Sequence, residues 1–162
     1  MTFILKPAHI QQFHAMLAAE AESGEALMQV LEQEHQLLVK GEAEEIRAIS
    51  KQKQLLVRRM AELLLARDRF LTALGLPSGR EGTGQLVEYA HPTAELELAW
   101  KRIEQLAPRL HEQNEINGGI VALAQRHVRA ALDILTNQNE QSPTYGRSGL
   151  ADGRSPQSLA KA

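Results

Sequence analysis

Two Glu-x-x-His pairs, Glu32-Gln33-Glu34-His35 and Glu88-Tyr89-Ala90-His91, have the most chemically suggestive spacing in this chain. Positions three apart share a helix face, so each pair offers a carboxylate and an imidazole to one metal, as in di-iron carboxylate bundles. Those centres also need a glutamate from each of two further helices. The second pair abuts Pro92, at a helix end where four inward ligands converge poorly. In a chain with 20 acidic residues and six histidines, two matches this short also arise by chance. The expectation is no metal site, with a di-metal bundle enzyme as the weakest of three readings.

Gly79-Arg80-Glu81-Gly82-Thr83-Gly84 has the glycine spacing that opens a phosphate-binding loop. Gln85 and Leu86, however, stand where a lysine and a serine or threonine are needed, and no strand precedes the segment. It reads as a connecting loop. No Ser–His–Asp set emerges from spacing, and the absence of cysteine excludes thiolate nucleophiles, thiolate zinc sites and disulfides. Neither catalytic residues nor a cofactor are expected, and the chain is read as a binding protein rather than an enzyme.

The elements that carry these residues are helices. Of 162 residues, 43% are hydrophobic and only 4% aromatic, so a core must be aliphatic and one domain is the natural size. A net charge of −2 gives no electrostatic reason for nucleic acid or an anionic membrane as partner. The N-terminus lacks the pattern of a signal peptide, and no apolar run approaches the ~20 residues needed to span a bilayer. A cytoplasmic location is expected.

From about Pro7 to Lys40, Ile10, Phe13, Leu17, Ala21, Gly24, Leu27, Leu31 and Leu38 recur in steps that keep them on one helix face, with His35 on the same stripe. Gly41 suits a C-terminal cap. The series Ile46, Ile49, Lys53, Leu56, Met60, Leu63, Arg67, Phe70, Leu74 then advances by threes and fours, a heptad-like seam with two basic interruptions. Lys53 and Arg67 are expected to snorkel at its edge. A single glycine between the two segments dictates an antiparallel hairpin.

Gly75 to Gly84 reads as a break, and Gln85 to Ala90 as a short helical turn. A third long helix follows Thr93, with Pro108 predicting a kink and Gly118-Gly119 a second weak point, so that two helices end to end are also allowed. The polar segment after Asn137 cannot bury enough apolar surface to offset its ordering entropy. The fold class is therefore all-α: a long antiparallel hairpin packed with a third long helix over residues 1–137, and a flexible tail over 138–162.

The binding signal lies near the end of that third helix. Ile120, Ala124, Ala131 and Ile134 mark its seam, yet Ile116, Val121, Leu123, Val128, Leu132 and Leu135 widen the apolar stripe beyond what one neighbour covers. The surplus fits an amphipathic client helix. Self-association into a homo-oligomer, as in a coiled-coil scaffold, would bury the same residues, and so would packing by residues 83–90.

The ordered text resembles the FlgN family. Leu27-Met28-Gln29-Val30-Leu31-Glu32-Gln33-Glu34 followed by Lys51-Gln52-Lys53-Gln54-Leu55-Leu56 is similar to the family's first two helices. Asn114-Glu115-Ile116-Asn117-Gly118-Gly119-Ile120, then Tyr145-Gly146 and Ser155 to Ala162, resembles its C-terminal region. The resemblance implies a flagellar type III export chaperone. Such a protein binds the C-terminal helices of the hook–filament junction proteins FlgK and FlgL, prevents premature assembly and delivers them to the export gate FlhA. It also implies that Asn114, Asn117, Ile120 and the apolar residues after them bind the client. Tyr145, the lone aromatic of the tail, becomes the residue expected to dock at the gate.

Overall fold

The computed structural model describes residues 4–90 and 94–141. It contains helices α1 (Pro7–Lys40), α2 (Ala43–Ala73), α3 (Gly79–Tyr89) and α4 (Ala94–Gln141), and among the described residues there is no strand. The chain divides into two compact units, Met1–Gln125 and Arg126–Ala162.

In the first unit, α1 and α2 form the expected hairpin. Pro7 occupies the first turn of α1, where its missing N–H costs little. Gly41 ends the helix in the left-handed region at φ 76°, its N–H donating to the Leu37 carbonyl at 2.9 Å. Two ion pairs set the register. Arg67 Nη1 meets Glu20 Oε2 at 2.7 Å, and Lys53 Nζ meets Glu34 Oε2 at 3.0 Å. The snorkelling expected of Arg67 is therefore corrected: Arg67 is buried, because a buried glutamate on α1 stands opposite it. Lys53 is half-buried, with its ammonium turned inward to Glu34.

The core lies at the end of the hairpin remote from Gly41, where Phe13 and Leu17 of α1 meet Leu71 of α2, Leu86 and Val87 of α3, and Leu96 and Trp100 of α4. Phe13 and Phe70 stack with ring centroids 5.9 Å apart. Each fully buried aliphatic side chain here contributes about 1.5–3 kcal/mol.

Two sequence expectations change. The glycine-rich stretch is helix, not loop: α3 starts at Gly79, six residues before the turn expected at Gln85. The Gly79 N–H donates to Asp68 Oδ1 at 2.7 Å and the Thr83 hydroxyl to the Gly79 carbonyl, while Leu86 and Val87 anchor the other end in the core. Nor do Pro108 and Gly118-Gly119 split the third helix, since α4 runs unbroken through all three. Packing on α1 holds it on both sides of the proline, through Leu106 against Gly24 and Asn117 against Leu31.

Candidate functional site

Within the first unit α4 runs parallel to α1. Arg102 Nε donates to Glu25 Oε1 at 2.6 Å, Leu106 packs on Gly24, and Asn117 reaches Leu31 and Glu34, so contacts ascend both helices together. A Cβ at Gly24 would meet the end of the Leu106 side chain, which would have to shift to admit it.

Asn117 is the polar hub of this contact. It is 1% exposed. Its amide Nδ2 donates to the Leu31 carbonyl and to Glu34 Oε2, both at 2.8 Å, and its Oδ1 accepts from Gln113 Nε2 at 3.0 Å. Glu34 also holds Lys53, so one network joins α1, α2 and α4. Asn117 was expected to touch a client, but its side chain is engaged inside the bundle. Glu34 and Gln113 were missed. The available signal was an acid on the α1 stripe opposite a base on the α2 stripe.

After Asn117 the environment of α4 changes. In the first unit, Asn114, Ile116, Val121 and Leu123 are exposed, and Ile120 is half-buried. Ile116, Ile120 and Leu123 fall at i, i+4 and i+7, one row along the helix. In the second unit Val128, Leu132 and Leu135 repeat that spacing and are 59%, 55% and 58% exposed. Eight of the nine expected client residues thus have side chains at least partly open to solvent, Asn117 being the exception. Tyr145 lies outside the described residues.

Among the described residues, the one strongly perturbed titrating group is on α1. Burial pushes the Glu20 carboxyl up to about 7, against the opposing pull of Arg67 and with a smaller push from Asp68. Burial outweighs the ion pair because the carboxylate loses its hydration on being taken into the bundle; among the described residues, Glu20 Oε1 and Arg67 Nε are left without hydrogen-bond partners. The guanidinium also lies 5.8 Å from the centre of the Trp100 ring, which favours its charge.

Glu32 and Glu88 are exposed, His35 is half-buried, and His91 lies outside the described residues. Among the described residues no group of three or more His, Asp or Glu side chains is placed to hold a metal ion, and no helix is long and apolar enough to cross a membrane.

A family model described as FlgN protein matches residues 1–153. No curated protein and no solved structure matches the chain.

Proposed function

Because the chain belongs to the FlgN family of flagellar export chaperones, we propose that it binds the C-terminal helices of the junction proteins FlgK and FlgL in the cytoplasm. It covers their assembly interface until they reach the export gate, FlhA. The observation that carries this reading is the pair of uncovered apolar rows on α4: Ile116, Ile120 and Leu123 in the first unit, and Val128, Leu132 and Leu135 in the second. A row at helical spacing is what an amphipathic client helix needs. Val121 and Asn114 flank the first row, and Asn117 serves by fixing α4 to α1 rather than by touching the client. The mechanism needs no covalent step. Masking the terminal helices blocks polymerisation, and competition releases them.

The test is calorimetry of the full chain against the C-terminal segment of FlgK from the same organism. Saturable binding is expected. The double variant Leu123→Asp with Val128→Asp should weaken it by more than about 100-fold, the loss expected from two buried aliphatic contacts, while helicity is kept. Unaltered affinity in the variant would end the proposal for this surface.

Tyr145 is proposed as the gate contact, and Tyr145→Ala should reduce FlhA binding without changing FlgK binding. A self-associating helical scaffold remains the second reading, supported by the same uncovered rows together with exposed Leu55 and Leu65 on α2. It requires concentration-dependent oligomers and indifference to FlgK and FlgL.

A further inference from the structure

Helix α3 fills only part of the groove between α2 and α4. Its Leu86 and Val87 sit in the core with Leu71 of α2 and with Leu96 and Trp100 of α4. Its first turn is tied to both walls. The Gly79 N–H donates to Asp68 Oδ1 at 2.7 Å, and Arg80 Nη2 donates to Glu104 Oε1 at 3.0 Å. From there α3 runs away from Glu104 towards Leu96, so it does not extend past Asp68 and Glu104 in the other direction.

The two walls continue past that point and are apolar. On α2, Val57, Ala61 and Leu64 fall at i, i+4 and i+7. On α4, Ile103, Ala107, Leu110, Asn114 and Val121 form one row at i, i+4, i+7, i+11 and i+18. Leu64 faces Ile103, Ala107 and Leu110 across a cavity of about 200 Å3, apolar apart from Glu20, which Arg67 holds. The lips are open: Val57 and Leu64 are 47% and 38% exposed, and Ala61 and Ala107 are exposed as well.

Two features say what fits there. The first is α3 itself, which shows that this groove takes a helix laid along it with aliphatic side chains turned into the gap. From Ile103 to Val121 the α4 wall is about 27 Å long, enough for a helix of about five turns, and small residues at both lips let a backbone come close. The second is continuity. Asn114 and Val121, at the upper end of this wall, flank the apolar row already proposed for the client. Leu123 of that row lies nine residues from Asn114, two and a half turns on, and so occupies the opposite flank of α4.

We propose that the groove between α2 and α4 receives a second amphipathic helix of the client, with one aliphatic side chain seated in the cavity. Helix α4 is then held on both flanks. An apolar cavity of about 150 Å3 already admits a benzene ring, so a leucine or methionine side chain fits this one, and the pliable Met60 thioether can follow its outline. This inference rests on the client reading above and adds to it a surface, Val57 to Leu64 on α2, that the client row on α4 does not include.

The experiment follows methyl chemical shifts of Met60 and Leu110 in the groove, and of Ile116 and Leu123 on the other flank. The C-terminal segment of FlgK is added to the full chain, with calorimetry in parallel. Both sets of methyls are expected to shift saturably at the same concentration. Ala61→Trp, which puts bulk at the exposed lip, should weaken binding at least tenfold. Ala107→Trp on the facing wall serves if the first variant loses helicity. Saturable heat with Met60 and Leu110 unmoved, or wild-type affinity in a folded blocking variant, would overturn the groove and leave the client reading standing. Shifts of Met60 and Leu110 on concentrating the chain alone would give the groove to a second copy and overturn the proposal. Absence of any heat would remove the client reading, and this inference with it.

Discussion

Glu20 and Asn117 are both buried and polar, and they make opposite demands on the fold. The raised Glu20 carboxyl means that the folded chain holds a proton which the unfolded chain releases near 4.5. Between about 4.5 and about 7 the folded state therefore binds more protons, and stability falls as pH rises through that window before levelling above it. At roughly 1.4 kcal/mol per pH unit, the loss attributable to this group is on the order of 3 kcal/mol. Glu20→Gln should remove that slope, so the difference between variant and wild type in urea unfolding should grow from pH 5 to pH 8. Parallel profiles would show that the carboxyl titrates normally. Asn117→Ala works differently, because it deletes two buried donors and leaves the pairing of Glu34 and Lys53 intact. A destabilisation of about 2 kcal/mol is expected in thermal unfolding, with FlgK affinity unchanged once the sample is folded. A variant of normal stability but weakened client binding would return Asn117 to the binding surface. These roles were hard to read in the sequence. A charge on a helical stripe looks the same whether it snorkels or pairs, and only the antiparallel register brings Glu20 to Arg67 and Glu34 to Lys53.

Helix α3 is where local sequence was most misleading, because four glycines within ten residues signal a break, yet the last three belong to a helix, Gly79 as its first residue. The reason is packing. A Cβ on Gly82 would run into the Pro77 carbonyl, so a side chain at this position would displace α3 from the preceding turn. Gly84, two residues on, has nothing within 4 Å of the same point. The two sites should therefore respond in opposite directions to alanine. Gly84→Ala should stabilise by up to about 1 kcal/mol through helix propensity alone. Gly82→Ala should destabilise by about 2 kcal/mol despite the same propensity gain, because backbone cannot yield as a flexible side chain does. Thermal unfolding by circular dichroism reads both. Equal shifts of the same sign would mean that Gly82 is not a close-approach glycine. By contrast, α1, α2 and the hairpin were legible throughout, since long stripes at steps of three and four with a single Gly41 between them allow little else. The continuity of α4 was not, because Pro108 weakens a helix locally and the tertiary contacts that hold it are invisible to local rules.

At the scale of the whole chain, α1 does double duty. One part of its surface meets α2 through Glu20 and Glu34, and another meets α4 through Gly24, Glu25 and Leu31. Its nine buried residues, against three in α2, reflect this shared position. The surplus apolar residues of α4 were legible in sequence as more stripe than one neighbour requires. What covers them was not, since an apolar stripe reads the same for a client helix as for a second copy of this chain. If the client helix engages residues 114–135 and the gate engages Tyr145, the two activities separate by position along the chain. Removing residues 142–162 should then leave affinity for the FlgK segment within about twofold while abolishing capture of the FlhA cytosolic domain, and Tyr145→Ala should reproduce the second effect alone. Joining the two contacts in one molecule also predicts that the complex of chaperone and client delivers more FlgK to the gate than an equal concentration of client with the truncated chain. A tethered second contact operates at an effective concentration in the millimolar range. Loss of FlgK affinity on truncation would place part of the client site beyond Gln141. Retained FlhA capture would instead assign gate docking to the helical units, and the exposed α2 residues Leu55 and Leu65 would be the next surface to mutate.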